Sequence, residues 1–445
     1  MERERIKFEN EILEKLKGHL TLLQDKADRD RIIFAIFLEM YNTAQGKELI
    51  KQMKDIEVER LFKEFLSYGL IDEFIADPAV EDVMINALNP IFIHKTKTGL
   101  IKTDKRFTNL DELNLFIKKL IIFSGRTKLH AINNVELRDI QGRINIIFSP
   151  FGAQITITRA KEQPLSIVEL IELKSLSCDL AAQLWIYVEG LGIKPANIIL
   201  SGGPGSGKTT LLNALFSFIP AKDRLVVIED TLELNTSLEE NCSRLESDEG
   251  LSSEDLVKNS LRMRPDRVIV GEVRGREAAD LMTAMNIGKY CMGTIHASTA
   301  RETVIRLQNE PMNVPEVLIN LVDVIVIMRR FNVQSDVYRV VGEVVETAGL
   351  EKKIILLSPI WEYDYSRKEF TEISVSSIYR DKLAKVSGIT AKEVMDEIKR
   401  RSLILKTMLD KGIKTMPQVT KFCRQYAENP SAVMQELGLT YGKLL

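Results

Sequence analysis

Gly202-Gly203-Pro204-Gly205-Ser206-Gly207-Lys208-Thr209 fits the pattern G-x-x-x-x-G-K-[ST], a nucleotide-binding P-loop. The apolar run before it, Asn197-Ile198-Ile199-Leu200, reads as a buried strand. The run after it, Thr210-Leu211-Leu212-Asn213-Ala214-Leu215, reads as a helix. Strand, loop and helix in that order are the context the motif requires. Glycines let backbone N–H groups close around phosphate oxygens, and a helix N-terminus adds its positive end. Gly203, Pro204, Gly205, Ser206, Gly207, Lys208, Thr209 and Thr210 are therefore the candidate phosphate-binding residues. Lys208 has the reach for the β- and γ-phosphates, and the Thr209 hydroxyl suits Mg²⁺. ATP and Mg²⁺ are the expected cofactors.

Working outward, buried strands alternate with helices from 165 to about 330, at 197–200, 224–228, 267–271, 292–295 and 323–328. That alternation predicts an α/β domain around a mostly parallel sheet. Ligands of such sheets sit beyond the carboxyl ends of the strands. Three strand ends there carry chemistry. Leu225-Val226-Val227-Ile228 ends in Glu229 and Asp230. Glu229 suits orienting and deprotonating a water, whereas Asp230 suits either helix capping or catalysis. Arg267-Val268-Ile269-Val270-Gly271 ends in Glu272, a Walker B-like strand with Glu in place of Asp, expected to hold the Mg²⁺ shell or polarise water. Gly293-Thr294-Ile295 ends in His296, which suits γ-phosphate sensing or structural hydrogen bonding.

The flanks differ in texture. Residues 1–75 carry apolar stripes at helical spacing, such as Leu13, Leu16 and Leu20, and read as a helical N-terminal segment. Residues 76–160 mix strands with one helical stretch at 111–123 and close on the alternating Ile155-Thr156-Ile157-Thr158, an α+β domain. A polar linker, 161–164, leads into the ATPase domain at 165–365, and 366–445 reads as a helical tail. Thr390 with Glu393 makes a capping box there. With 61 Lys plus Arg against 63 Asp plus Glu the net charge is −2, which argues against sequence-specific nucleic-acid binding. The four cysteines contain no C-x-x-C pair, so neither a structural zinc nor a disulfide framework is expected, and a reducing cytoplasm fits. No stretch approaches 18 apolar residues, and the opening residues lack a signal-peptide apolar core.

Together the segments resemble the type II/type IV secretion ATPase superfamily. Residues 228–234, IEDTLEL, resemble its Asp box; 268–288, VIVGEVRGREAADLMTAMNIG, its Walker B region; and 293–307, GTIHASTARETVIRL, its His box. SLRMRPDRVIVGEVRGREA, VEDVMINALNPIFI and LRDIQGRINIIFSPFGAQITITR resemble the archaeal pilus, archaellum and Tad-type branch, and the tail resembles archaeal members. The resemblance implies a RecA-like P-loop core behind an α+β N-terminal domain. It implies that Glu229, Glu272 and His296 are catalytic, and that Arg143 and Arg159, with Arg138 as a further candidate, reach the nucleotide phosphates. The family commonly reads T-I-R-K before the linker where this chain has Thr156-Ile157-Thr158-Arg159, a shift of one residue. The tetracysteine zinc insert of many bacterial extension ATPases is absent. The resemblance further implies a cytoplasmic homo-hexamer at the inner membrane face, driving a polytopic platform protein and, through it, pilin-like or secreted substrates. A VirB11-like exporter of DNA or protein, a non-hydrolysing scaffold and a P-loop metabolite kinase are the competing readings.

Overall fold

Threonine alternating with isoleucine over Ile155-Thr156-Ile157-Thr158 builds a strand that is dry on one side. A computed structural model describes residues 2–21, 24–43, 46–48, 58–95, 98–137, 140, 142–159, 164–248, 250–333, 336–374 and 376–439. Arg138 and the linker residues Lys161, Glu162 and Gln163 lie outside the described residues. The chain divides into two units, Met1–Glu162 and Gln163–Leu445.

In the first unit, β1 (Val80–Asn86), β2 (Phe92–Lys95), β3 (Gly99–Lys102), β4 (Ile132–Leu137), β5 (Gly142–Ser149) and β6 (Gly152–Arg159) form one sheet in the order β3-β2-β1-β6-β5-β4. Every neighbouring pair is antiparallel. Ile155 and Ile157 are buried while Thr156 is exposed, as a period of two requires. Helix Leu110–Phe123 begins where the Asn109 side chain accepts a hydrogen bond from the Glu112 amide, and its Ile117, Leu120 and Ile121 join the sheet's core. Helices Glu2–Leu16, Lys26–Tyr41 and Val58–Leu66 feed the same core through Ile12, Leu16, Ile33, Phe37 and Phe65. The expected separate helical segment at 1–75 and the α+β domain are thus one body with one apolar core. The stripe that reads as an independent bundle needs the sheet to bury it.

The second unit is built on β7 (Ile198–Gly202), β8 (Leu225–Glu229), β9 (Cys242–Glu246), β10 (Arg267–Val270), β11 (Tyr290–Ile295), β12 (Val324–Val333), β13 (Asp336–Glu351), β14 (Ile354–Asp364) and β15 (Glu369–Glu372). The order is β15-β14-β13-β12-β7-β11-β10-β8-β9. Pairs from β12 through β9 are parallel, and those from β12 to β15 are antiparallel. Strands β7, β8 and β10 are buried at every position, which fits parallel strands covered on both faces. The sequence reading lacked β9 and β15, and β15 corrects the helical tail expected from 366 onward.

Among the described residues four helices follow β15: Ile378–Ser387, Ala391–Asp410, Met416–Glu428 and Pro430–Glu436. They are not an appendage. Tyr379, Ile404, Leu405, Met408, Val419 and Tyr426 share one apolar core with Trp185, Leu200 and Phe218 of the α/β layers. The Arg401 guanidinium, on the second of these helices, is 4.7 Å from the Trp185 ring centre and pairs with Glu189 and, at 3.0 Å, with Glu397. Glu346 of β13 is fully buried and accepts from Tyr187 Oη at 2.7 Å, Ser377 Oγ at 2.6 Å and the Tyr379 amide at 3.0 Å. Buried charge is tolerated only when partnered in this way. Within this unit the ATPase domain and tail expected as separate are one body.

Candidate nucleotide site

Parallel registry brings the site together. Because β8, β10, β11 and β7 run the same way, Glu229, Glu272, His296 and the P-loop all emerge at one edge of the sheet. The loop needs its glycines: Gly205 and Gly207 sit at φ +66° and +100°, which side-chain-bearing residues rarely adopt. Helix Lys208–Leu215 starts immediately after them, so its first amides face the loop.

Lys208 is buried, and its ammonium donates to the carbonyls of Gly202 at 2.9 Å and Gly203 at 3.1 Å. It also lies 3.2 Å from His296 Nδ1. An ammonium only donates, so Nδ1 must accept, and the ring proton sits on Nε2. Nε2 in turn faces Glu272 Oε1 at 3.0 Å. Burial, then the charge of Lys208, lower the His296 pKa and favour this neutral tautomer. Burial also lowers the Lys208 pKa, with Glu272 opposing it. Glu272 carries a fork of two contacts from Arg274, Nε to Oε1 at 2.6 Å and Nη2 to Oε2 at 2.7 Å. Burial works against the Glu272 anion, but Arg274 outweighs it and holds the carboxyl below its ordinary range. The result is a continuous chain of contacts, Lys208 to His296 to Glu272 to Arg274.

Glu229 lies at the next strand end. Gly271 makes room for it, since a Cβ there would stand 2.9 Å from Glu229 Cγ. Glu229 Oε1 accepts from the amides of Glu233 and Leu234, both at 2.9 Å, and Oε2 is 3.5 Å from Arg244 Nη2. Burial pushes its carboxyl up to about 7 against those contacts. Glu229 is therefore also a loop anchor, which its sequence position does not reveal. Asp230 Oδ1 accepts from Ser247 Oγ at 2.7 Å and Ser253 Oγ at 2.8 Å, so it ties the end of β9 to the first residue of helix Ser253–Ser260, and no helix begins directly after Asp230.

Thr209 and Thr210 are half-buried, and Pro204 is exposed. Arg143 and Arg159 belong to the first unit: Arg143 is exposed on β5, and Arg159 Nη1 donates to the carbonyls of Asp77 at 2.6 Å and Val80 at 3.4 Å. Arg244 and Arg274 escaped the sequence reading, and so did Arg330 and Arg339. Arg339 Nε donates to the Gly205 carbonyl at 2.9 Å, and Arg330 sits directly opposite it across β12 and β13. The Arg329-Arg330 pair after a buried strand was the available signal.

The site fits a magnesium nucleotide. Ser206 Oγ is buried with no hydrogen-bond partner among the described residues. A Cβ at Gly202 would stand 2.5 Å from that same oxygen, so the loop is shaped by atoms rather than padding. Among the described residues no group of three His, Cys, Asp or Glu side chains forms a protein-only metal site. Magnesium is ordinarily held by one or two carboxylates with phosphate and water, which this donor set supplies.

A family model described as "Type II/IV secretion system protein" matches residues 127–352. The chain belongs to that family. Among curated relatives, an uncharacterized protein of Methanocaldococcus jannaschii is 29% identical over 400 residues, covering 86% of this chain and 72% of its own. A second uncharacterized protein of the same organism is 32% identical over 269 residues, covering 58% and 96%. The conjugal transfer protein TrbB of Rhizobium radiobacter is 30% identical over 284 residues, covering 61% and 85%. The matched span of this secretion-family chain contains the P-loop, all three acidic or histidine strand ends, and both Arg330 and Arg339. Among its described residues no helix is long and apolar enough to cross a membrane.

Proposed function

We propose that this protein is an Mg²⁺-dependent ATPase whose RecA-like core powers assembly of type IV pilus-like filaments or type II/IV secretion. The observation that carries this reading is the unbroken contact from the P-loop ammonium through His296 to Glu272. It ties the group that meets phosphate to the carboxylate that meets metal and water. In this reading the backbone amides of Gly203, Gly205, Ser206 and Gly207, with Lys208 Nζ, bind and orient phosphate, and Thr209 with Glu272 holds Mg²⁺. The metal supplies charge neutralisation at the transferred phosphoryl group. Glu229, with a pKa near neutrality, is suited to take a proton at Oε2. His296 Nε2–H faces Glu272, and burial, with the charge of Lys208, keeps the imidazole neutral. Arg143 and Arg159 are read as supplying positive charge to the phosphates from the first unit.

The working form is read as a cytoplasmic homo-hexamer docked on a polytopic membrane protein, with pilin-like or secreted cargo reached through it. The likeness to a conjugal transfer protein favours a second cargo, DNA or protein export, on the same ATPase. A steady-state ATPase assay with Glu272→Gln tests the core of the proposal. The variant should bind ATP within about tenfold of wild type and hydrolyse it hardly at all. Unchanged turnover removes Glu272 from the chemistry, and lost binding makes it a folding residue.

A further inference from the structure

Arg274 is an exposed cation resting on the carboxylate that the proposed chemistry needs free. Its Nη2 donates to Glu272 Oε2 at 2.7 Å, and its Nε lies 2.6 Å from Oε1 as an ion-pair contact. A charge-assisted contact of this kind is among the stronger polar contacts a carboxylate makes. An oxygen so engaged has fewer lone pairs for a metal or a water. The backbone under Arg274 is fixed: its own amide and that of Gly275 both donate to Glu277 Oε1, at 2.6 and 2.7 Å. The side chain is not, being 63% exposed. A second seat lies beside it, because Arg274 Nη1 is 3.8 Å from Asp230 Oδ2. The other Asp230 oxygen is taken by Ser247 and Ser253, so Oδ2 is the one presented to Arg274.

We infer that Arg274 is a two-position latch: seated on Glu272 it withholds that carboxylate from the metal, and moved onto Asp230 it releases it. The inference rests on the reading of Glu272 as the residue that serves the nucleotide's metal. Arg274 is thus a positioning residue that acts through Glu272. The two seats are both built from this chain, one on each of two neighbouring strand ends, so the exchange needs only side-chain rotation. It gives the protein a way to keep the metal site closed until Arg274 transfers to Asp230.

The test uses the full chain and Mn²⁺ with ADP, followed by electron paramagnetic resonance, beside ATP turnover across a Mg²⁺ titration. Arg274→Ala should tighten Mn²⁺ binding about tenfold, the scale of a lost charge-assisted contact. It should also lower the Mg²⁺ concentration for half-maximal turnover without lowering kcat at saturation. Arg274→Lys keeps the charge but not the fork and should fall between. Asp230→Asn keeps the acceptor for the two serines, removes the second seat, and should weaken Mn²⁺ binding about threefold, a typical surface-pair effect. The double variant Arg274→Ala/Asp230→Asn should behave as Arg274→Ala alone, since Asp230 matters only while Arg274 is present. Additive effects, or Mn²⁺ binding no tighter in Arg274→Ala, overturn the latch. A fall in saturated kcat restored by Lys makes Arg274 a phosphate-facing arginine and overturns it equally. Wild-type protein that binds ADP without any metal dependence instead overturns the function reading beneath it.

Discussion

Two clusters of charge in the second unit are built from the same residue types and do opposite things. Around Arg401, one guanidinium is held by Glu189 and Glu397 and covered by Trp185, and its side chain is 3% exposed. Around Glu272, the carboxylate is 22% exposed, its histidine 31% and its arginine 63%. The first cluster is the more buried: the Arg401 and Glu189 side chains are 3% and 6% exposed, and Glu397, at 15%, also takes Arg400 and Tyr426. The second is shared: Glu272 serves Arg274 and His296, His296 serves Lys208, and Arg274 has Asp230 as an alternative. Closed pairs lock packing, and breaking one strands a buried charge. Shared, half-open pairs exchange partners at small cost, which is what the proposed binding of phosphate and metal requires. The same chemistry is structural or functional according to burial and number of partners.

The largest separation of the two comes from Lys208→Ala. Removing the ammonium that sits on the loop carbonyls should cut ATP turnover about 10³-fold, the scale for losing one preorganised transition-state contact. The expected fold, read by circular dichroism, is unchanged. Arg401→Ala is the mirror experiment. It should cost about 3–5 kcal/mol of stability by leaving Glu189 unpaired in the interior, yet ATP turnover per folded molecule should match wild type. Denaturant melts with activity measured below the transition check both. If Arg401→Ala lost activity in proportion at full fold, the tail would be coupled to the site and the distinction between the clusters would fail.

Lys208, His296 and Glu272 of the shared cluster were legible in the sequence; Arg274 and the closed cluster were not. Each of those three ends an apolar strand or sits in a glycine-rich loop, and those signals are local. Parallel pairing then does the assembly, because strands of one direction deliver their ends to one edge. Arg401 sits mid-helix among charged residues, and nothing nearby in the sequence says that Trp185 and Glu189 will close over it. The same holds for Arg339 and Gly205, separated by 134 positions. Strands β9 and β15 were missed for another reason. Cys242-Ser243-Arg244-Leu245-Glu246 and Glu369-Phe370-Thr371-Glu372 are the two edges of the sheet, half-exposed and polar, and lack the apolar run that marks the central strands. The division of the chain at 75 and 365 failed because core sharing is decided by long-range burial, which periodicity does not record.

Glu229 stands between the two clusters, buried like Arg401's partners yet facing the site. Its carboxyl is pushed up to about 7 from an ordinary 4.5, burial being the main cause. The folded state therefore binds the proton more tightly than the unfolded chain. That contribution to stability is complete below about 4.5 and is lost as pH rises through about 7, amounting to about 3 kcal/mol. Glu229→Gln keeps an acceptor for the Glu233 and Leu234 amides and cannot ionise. Relative to wild type it should be equally stable near pH 4.5 and gain up to about 3 kcal/mol by pH 8, while turnover falls. Urea melts at pH 5, 6, 7 and 8 read the difference. Stability curves that stay parallel across that range would show that Glu229 is charged throughout, closed by Arg244 in the manner of Arg401.

The smallest expected effect sharpens the open end of the comparison. Arg339 Nε reaches the Gly205 carbonyl at 2.9 Å, but the residue is exposed and faces Arg330, a like charge, directly across the strand pair. Opposed like charges cost stability unless an anion lies near both. Two arginines beside a phosphate loop are thus a local repulsion that a bound polyphosphate relieves. Exposed pairs contribute only about 0.2–1 kcal/mol and are screened by salt. Arg339→Ala should accordingly raise the KM for ATP by no more than about fivefold at low salt, with kcat near wild type. Its melting temperature should be unchanged or slightly higher without nucleotide. At 0.5 M salt, where the screening length falls to about 4 Å, the difference in KM should nearly vanish. A loss of kcat that persists at high salt would move Arg339 from the rim of the site into the chain of contacts that begins at Lys208.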